Sequence, residues 1–281
     1  MSDTFLVYGK IIIDDIRLRS GAIVSSKLGG GGPQAAFGMR LWHDDVALLT
    51  RSGDDLDPSH LRTLQDLSLD LSGWTRYDDL PTPRGLMEYD EHEHMHNRGL
   101  ITEFARESLV ANARELQHRG ALCSLEPIFD DHSCPDRPAL LELARQVDIV
   151  TPDWPSASTF AGSDQPIDVL RYWAALGPQA VAIRHGAHGS YVWDRRHGRA
   201  WHIPILPVQT VDPTGAGNAY GGGWCIGWWR FGDSRLASCY ANVAAALMVS
   251  HAGMPALTDE NRRRAESLFE VAQRQTVRID L

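Results

Sequence analysis

Cysteine is scarce in this chain of 281 residues: Cys123, Cys134, Cys225 and Cys239 are the whole supply. Four scattered thiols do not frame a disulfide-built fold in a chain this long. No two of them stand as Cys-x-x-Cys, which argues against a structural zinc site. Long Lys/Arg runs are missing too, and 27 basic against 36 acidic residues leave a formal net charge of −9. That acidic balance argues against nucleic acid as the main partner. It leaves room for a local anion site made of backbone amides. No apolar stretch approaches the roughly 20 residues needed to cross a bilayer, and the longest, residues 220–229, is rich in glycine. Residues 1–13 put Asp3 before a short apolar run with no cleavage pattern, so they read as a first strand and not a secretion signal. These absences predict a cytoplasmic protein with a small-molecule substrate and no membrane partner.

Apolar residues make up 43% of the chain and charged residues 22%, enough to bury a core. The length suits a single α/β domain over residues 1–281. Short β-branched runs alternate with helical patterns, as in a mostly parallel sheet covered by helices. Strands are predicted over residues 5–13, 46–50, 121–125, 147–150 and 180–184, with a hairpin from 189–194 and 200–206. Helices are predicted over 33–42, after Pro58, and over 136–146, 166–176, 215–230, 234–250 and 258–272. Residues 73–98 break the rhythm. They alternate, are cut by turns, and suit a few antiparallel strands leaving the main sheet as a small lid.

The strongest local signal lies at residues 211–223, Val-Asp-Pro-Thr-Gly-Ala-Gly-Asn-Ala-Tyr-Gly-Gly-Gly. Small residues at 215–217 allow a tight turn into the helix that follows. Backbone N–H groups at such a helix start, helped by the dipole, make an anion or oxyanion site. The rival reading is a glycine-rich turn used only for close packing.

At this point the chain resembles the ribokinase/PfkB family of sugar and nucleoside kinases. Gly29, Gly30, Gly31 and Gly32, followed by Pro33-Gln34-Ala35-Ala36, look like that family's first glycine signature. Arg51-Ser52-Gly53-Asp54-Asp55 resembles its next turn, and Ile183-Arg184-His185-Gly186-Ala187-His188-Gly189 its nucleotide-side Gly-x-x-Gly strand. The stretch from Asp212 falls on the second signature, usually Asp-Thr-x-Gly-Ala-Gly-Asp. The resemblance implies a ribokinase-like three-layer α/β/α sandwich with a central, mostly parallel sheet and a small β lid. It also implies ATP and Mg²⁺ as cofactors. The catalytic set it implies is Asp212, Gly215, Ala216, Gly217 and the residue at 218. Substrate would meet Asp14, Asp15, Gly30, Gly31, Gln34 and Glu126, and nucleotide would meet Arg184, Gly186, Gly189 and Thr214.

Three departures stand out. The family's catalytic base is the final Asp of the second signature, and here it is Asn218. An amide has no lone pair basic enough to take a proton from a hydroxyl at neutral pH. The family's Mg²⁺-linked Asn-x-x-Glu corresponds to Asp153-Trp154-Pro155-Ser156, so its Glu is Ser156. Gln34 stands where a substrate-binding Asn is usual. A narrower resemblance accommodates part of this. Asp212-Pro213-Thr214-Gly-Ala-Gly-Asn with glycines after it looks like the fungal maintenance-of-killer branch. Glu126-Pro127-Ile128-Phe129-Asp130, Cys134-Pro135 and Arg184 look like that branch too.

Other residues admit two readings. Asp14 and Asp15 follow the first strand, where the family places an Asp on substrate hydroxyls; each could equally be a turn or cap aspartate. His92, His94 and His96 would share one face of a strand, able to bind Zn²⁺ or Cu²⁺. A polar lid strand is the plainer reading, and no metal ligands are assigned. Glu126 ends a strand at the carboxyl edge, where α/β sites lie. It could act as an acid, hold a cation, or bond loop amides. His185 and His188 read as surface-loop histidines, and Trp154 could cover the nucleotide or metal space. Three functions follow. The first is a small-molecule kinase with an atypical site. The second is a cofactor-free hydrolase or lyase on a small cyclic substrate, with the 215–217 amides as an oxyanion hole. The third is a non-catalytic binding protein dimerising through lid strands.

Overall fold

The apolar run over residues 5–13 makes two strands, not one: β1 (Phe5–Tyr8) and β2 (Ile12–Arg17). The break falls at Gly9, whose Cα lies against the backbone of Gly32; a Cβ there would sit 2.5 Å from the Gly32 nitrogen. The Gly32 N–H donates to the Lys10 carbonyl at 3.3 Å, so residues 9–11 are tied to the next turn and cannot extend β1. The computed structural model describes residues 5–18, 20–89, 95–97, 122–126 and 137–281. They fall into two compact units, one of residues 1–105, 206–226 and 240–270, the other of 106–205, 227–239 and 271–281.

In the first unit, β1 pairs in parallel with β4 (Val46–Gly53), and β4 in parallel with β5 (Trp74–Tyr77). A separate four-stranded sheet has β2 between β3 (Ile23–Gly29), antiparallel to it, and β6 (Arg84–Tyr89), parallel to it. On the far side of β6 lies β7 (Met95–Asn97). Thus β5 belongs with β1 and β4, whereas β6 and β7 join β2 and β3. The helix α1 (Gly31–Arg40) starts straight after β3. Its Gly30 cap has φ +91°, a conformation that favours glycine. α2 (Pro58–Asp66) is capped by Asp57, which accepts from the Ser59 N–H at 2.8 Å.

In the second unit, β8 (Ser124–Leu125), β9 (Ile149–Val150) and β10 (Ala180–Arg184) run parallel. β11 (Ser190–Asp194), β12 (Arg199–Ile203) and β13 (Val277–Ile279) extend the sheet antiparallel. The expected hairpin is β11–β12; β13 was not foreseen. Helices α3 (Arg137–Ala144), α4 (Trp154–Ala161) and α5 (Pro166–Ala175) accompany this sheet. Its core gathers Phe160, Val169, Leu170, Trp173, Val181 and Ile183, all at most 3% exposed. At roughly 25 cal/mol per Å² of apolar surface removed from water, such a cluster supplies the main driving force of the unit. The Trp173 indole N–H donates to the Ala157 carbonyl at 3.2 Å, satisfying its one polar atom.

The last third holds α6 (Ala216–Phe231), α7 (Ser234–Val249) and α8 (Asp259–Gln275). The first half of α6 crosses α1 with no side chain between the two. A Cβ on Gly222 would overlap the Ala35 carbonyl, and one on Gly38 would overlap that of Ala219. This contact fixes where the start of α6 stands against the start of α1. Behind it, Trp42 and Tyr240 stack at 3.8 Å. No helix among the described residues is long and apolar enough to cross a membrane.

Candidate active site

The turn at residues 29–32 gathers the polar groups of the first unit. Asp14 sits on β2, opposite Lys27 of β3, and is 2% exposed. Its Oδ2 rests against Gly29, where a Cβ would lie 2.8 Å from the Asp14 Cγ and collide with that oxygen. Only glycine leaves room for the carboxyl group. Among the described residues the Asp14 Oδ1 has no hydrogen-bond partner. Burial, then the charges of Asp212 and Asp15, push its pKa from 3.8 up to about 7. Asp15 is exposed and accepts the Ser26 N–H at 2.8 Å, bracing a β-bulge between Asp14 and Ile16. The structure therefore separates two aspartates that the sequence left equivalent.

The second signature closes on the same turn. Asp212 is buried; its Oδ1 accepts the Thr214 N–H at 2.9 Å and its Oδ2 the Gly253 N–H at 3.1 Å. That carboxylate pins the loop before α6, and Thr214 is buried beside it. Gly215, at φ +82°, packs on Gln34; a Cβ would lie 2.5 Å from the Gln34 Cδ. Ala216, Gly217 and Asn218 then form the first turn of α6, whose N–H groups lie at the positive end of the helix dipole. The Ala216 N–H also donates to the Pro213 carbonyl at 3.3 Å, a long bond within the turn.

Asn218 and Gln34, two of the three departures, form one unit. The Asn218 Nδ2 donates to the buried Gln34 Oε1 at 2.7 Å, across 184 residues. This leaves the Asn218 Oδ1 facing Gly31, 3.5 Å from where a Cβ would stand. A carboxylate at 218 would set two acceptor oxygens against each other unless Gln34 turned its amide over. The glutamine and the asparagine are thus matched. Nothing in the one-dimensional pattern announced this pairing; only a chemical comparison of the two departures could have suggested it.

The second unit holds the rest of the predicted nucleotide side. Arg184, at the end of β10, is buried, and its Nη2 donates to the Glu126 Oε1 at 2.7 Å. Of the roles weighed from the sequence, Glu126 takes, among the described residues, that of holding a cation, the Arg184 guanidinium, and not a bond to loop amides. The Arg184 Nε is buried with no hydrogen-bond partner among the described residues. Gly186 and Gly189 turn the chain back into β11 at φ +50° and +86°. His185 is not a surface-loop residue: it is half-buried and stacks on Trp154 at 3.7 Å. Burial, then the neighbouring His188 and His202, push its pKa down to about 4, so the ring is neutral at pH 7. His188 is exposed, as predicted. Asp153 caps α4, accepting the Ser156 N–H at 3.1 Å. The substituted motif thus starts a helix, which the sequence reading missed.

His92, His94 and residues 127–136 lie outside the described residues, and His96 is described in backbone only. Among the described residues, no three His, Cys, Asp or Glu side chains converge as a metal site. Phosphate oxygens would suit the first-turn amides of α6 in one unit and the Arg184 guanidinium in the other. Mg²⁺ binds phosphate through one or two carboxylates and water. Glu126, now paired with Arg184, and Asp153, now capping α4, are among the described residues the carboxylates near Arg184 that would have to hold the ion.

A cytidine kinase of Thermococcus kodakarensis is 24% identical over 254 residues, covering 80% of this chain and 88% of that protein. Aminoimidazole riboside kinase from Salmonella enterica, solved with aminoimidazole riboside and an ATP analog, has a TM-score of 0.77. It is 18% identical and matches 95% of this chain and 100% of its own. Burkholderia thailandensis nucleoside kinase in complex with inosine has a TM-score of 0.76 at 19% identity, over 96% of this chain and 97% of its own. The fold is ribokinase-like α/β, as the sequence led us to expect. Residues 106–260, more than half the chain, match the pfkB family of carbohydrate kinases, and the chain belongs to that family.

Proposed function

We propose that this protein is a kinase of a small hydroxylated molecule, a sugar, polyol or nucleoside, with an amide where the family keeps a carboxylate. The observation that carries the reading is the Asn218–Gln34 pair set beside the glycine turn and the first-turn amides of α6. The fold and the phosphate-type turn survive, while the residue at 218 has changed from base to orienting group. ATP with Mg²⁺ would supply the electrophilic phosphoryl group and its leaving group. Gly215, Ala216 and Gly217 would offset the charge that develops on the transferred group. Asn218, fixed by Gln34, would accept a hydrogen bond from a neighbouring donor group of the acceptor molecule and so aim the reacting hydroxyl. Gly30, Gly31, Gln34 and Asp14 would line the acceptor side, and Arg184, Gly186 and Gly189 the nucleotide side. Asparagine at 218 accords with the branch resembling the maintenance-of-killer proteins. The relatives named above are kinases and lend the hydrolase or lyase reading no support.

Titration calorimetry with ATP and ADP, each with and without Mg²⁺, tests this directly. Micromolar binding that tightens with Mg²⁺ is expected, and no binding at millimolar nucleotide would overturn the reading. As its partner we propose a second copy of the chain, paired through β7, which among the described residues has β6 on one side and no strand on the other. Sedimentation should then show a dimer, and a monomer at all concentrations removes that partner.

A further inference from the structure

Losing the base at 218 leaves the proposed reaction without an obvious proton acceptor. Among the described residues of the first unit, Asp14 has the properties that a substitute needs. Asp14 is a carboxyl group at 2% exposure whose Oδ1 has no hydrogen-bond partner among the described residues. A buried polar atom without a partner carries a desolvation cost that folding alone does not offset. A substrate hydroxyl that donates to it would relieve that cost.

Its position agrees. Asp14 Oδ2 abuts Gly29, and the Asn218 Oδ1 faces Gly31. These glycines are two residues apart, a span of at most about 7 Å even in extended chain. The carboxyl group and the orienting amide therefore flank one short turn. The charged groups acting on Asp14 are Asp212, before α6, and Asp15, its neighbour. Lys27 lies opposite on β3, but its stem runs to Gly253, where a Cβ would be 3.2 Å from the Lys27 Cδ. On the β6 side the register partner is Gly85, which carries no charge.

We infer that Asp14 is the catalytic base, taking the proton of the acceptor hydroxyl while Asn218 orients that hydroxyl. The inference rests on the kinase reading given above. The hydroxyl O–H bond breaks and its proton passes to the Asp14 Oδ1. The oxygen's electron pair forms the new bond to the γ-phosphorus of a nucleoside triphosphate. The bond from that phosphorus to its bridging oxygen breaks, and its electrons leave with the nucleoside diphosphate. A group titrating near neutral pH is well matched to such a transfer, being both ionised and basic enough.

The test is steady-state kinetics with ATP, Mg²⁺ and the best acceptor from a panel of sugars, polyols and nucleosides. Asp14→Asn should lower kcat by about 10²–10⁴-fold, and nucleotide binding by calorimetry should be unchanged. In the parent, kcat should rise with pH along a limb centred near 7, and that limb should vanish in Asp14→Asn. Adding Asn218→Asp to Asp14→Asn should restore rate with the limb moved to lower pH. If Asp14→Asn raises only KM and keeps kcat and the limb, Asp14 binds substrate without acting as base, and the inference fails. If Asp14→Asn does not fold, Asp14→Glu decides: the limb should persist while kcat falls at least about tenfold, and an unchanged kcat overturns the assignment. If the parent protein transfers phosphate to no acceptor, the kinase reading itself fails, and the role of Asp14 with it.

Discussion

Asp14→Asn should become more heat-stable relative to the parent protein as pH rises from 4 to 8. The carboxyl group has a pKa of 3.8 when exposed and about 7 when folded, so the folded chain holds its proton through the interval between. Folded-state stability from this group is complete below pH 4 and is lost as pH climbs through 7. At about 1.4 kcal/mol per pH unit, burying the ionised form costs on the order of 4 kcal/mol. Asparagine has nearly the same shape and does not ionise, so the variant escapes that loss. Melting curves at pH 4, 6 and 8 would show the gap between variant and parent widening by several degrees. A gap that stays constant with pH would mean that Asp14 ionises as easily folded as unfolded. The same substitution is expected to cost most of the activity, the usual exchange between stability and function at a strained site.

A second large effect is expected from Gly222→Val. The Cβ would overlap the Ala35 carbonyl and approach its carbon at 2.9 Å and the Met39 nitrogen at 3.1 Å. These are backbone atoms, so no rotamer change relieves the clash and the two helices must separate. Overpacking ordinarily costs about 1–3 kcal/mol, and a clash of helix against helix backbone should reach or exceed the top of that range. Separation would also pull Asn218 from Gln34, whose amides now meet at 2.7 Å. Calorimetric melting and the acceptor KM should worsen together. A stable variant with parental KM would show that the helix start is positioned by something else. Gly222→Ala should show a smaller effect of the same sign.

Much of this arrangement is legible in the sequence, and what is hidden has a common cause. Glycines at 29–32 and 215–217 mark the turns because tight turns and close approach tolerate little else. β10 is fully legible because all five of its residues are buried and β-branched, small or ion-paired. The split at Gly9 is hidden, since the residues on both sides are apolar and the reason for the break is a contact with Gly32. The difference between Asp14 and Asp15 is hidden for a like reason: a bulge and one bond to Ser26 send them to different surroundings. The Asn218–Gln34 and Arg184–Glu126 pairs join residues far apart in the chain, where periodicity has nothing to say. Local pattern reveals which residues turn or bury; partners are settled by packing.

The bare crossing of α1 and α6 has a consequence for amide hydrogen exchange. Most helix contacts can loosen when a side chain swings aside, and exchange then proceeds through small local openings. Between Gly38 and Ala219, and between Gly222 and Ala35, there is no side chain to swing. Amide protons of residues 35–39 and 219–223 should therefore exchange as one slow group, on the timescale of unfolding of the whole unit.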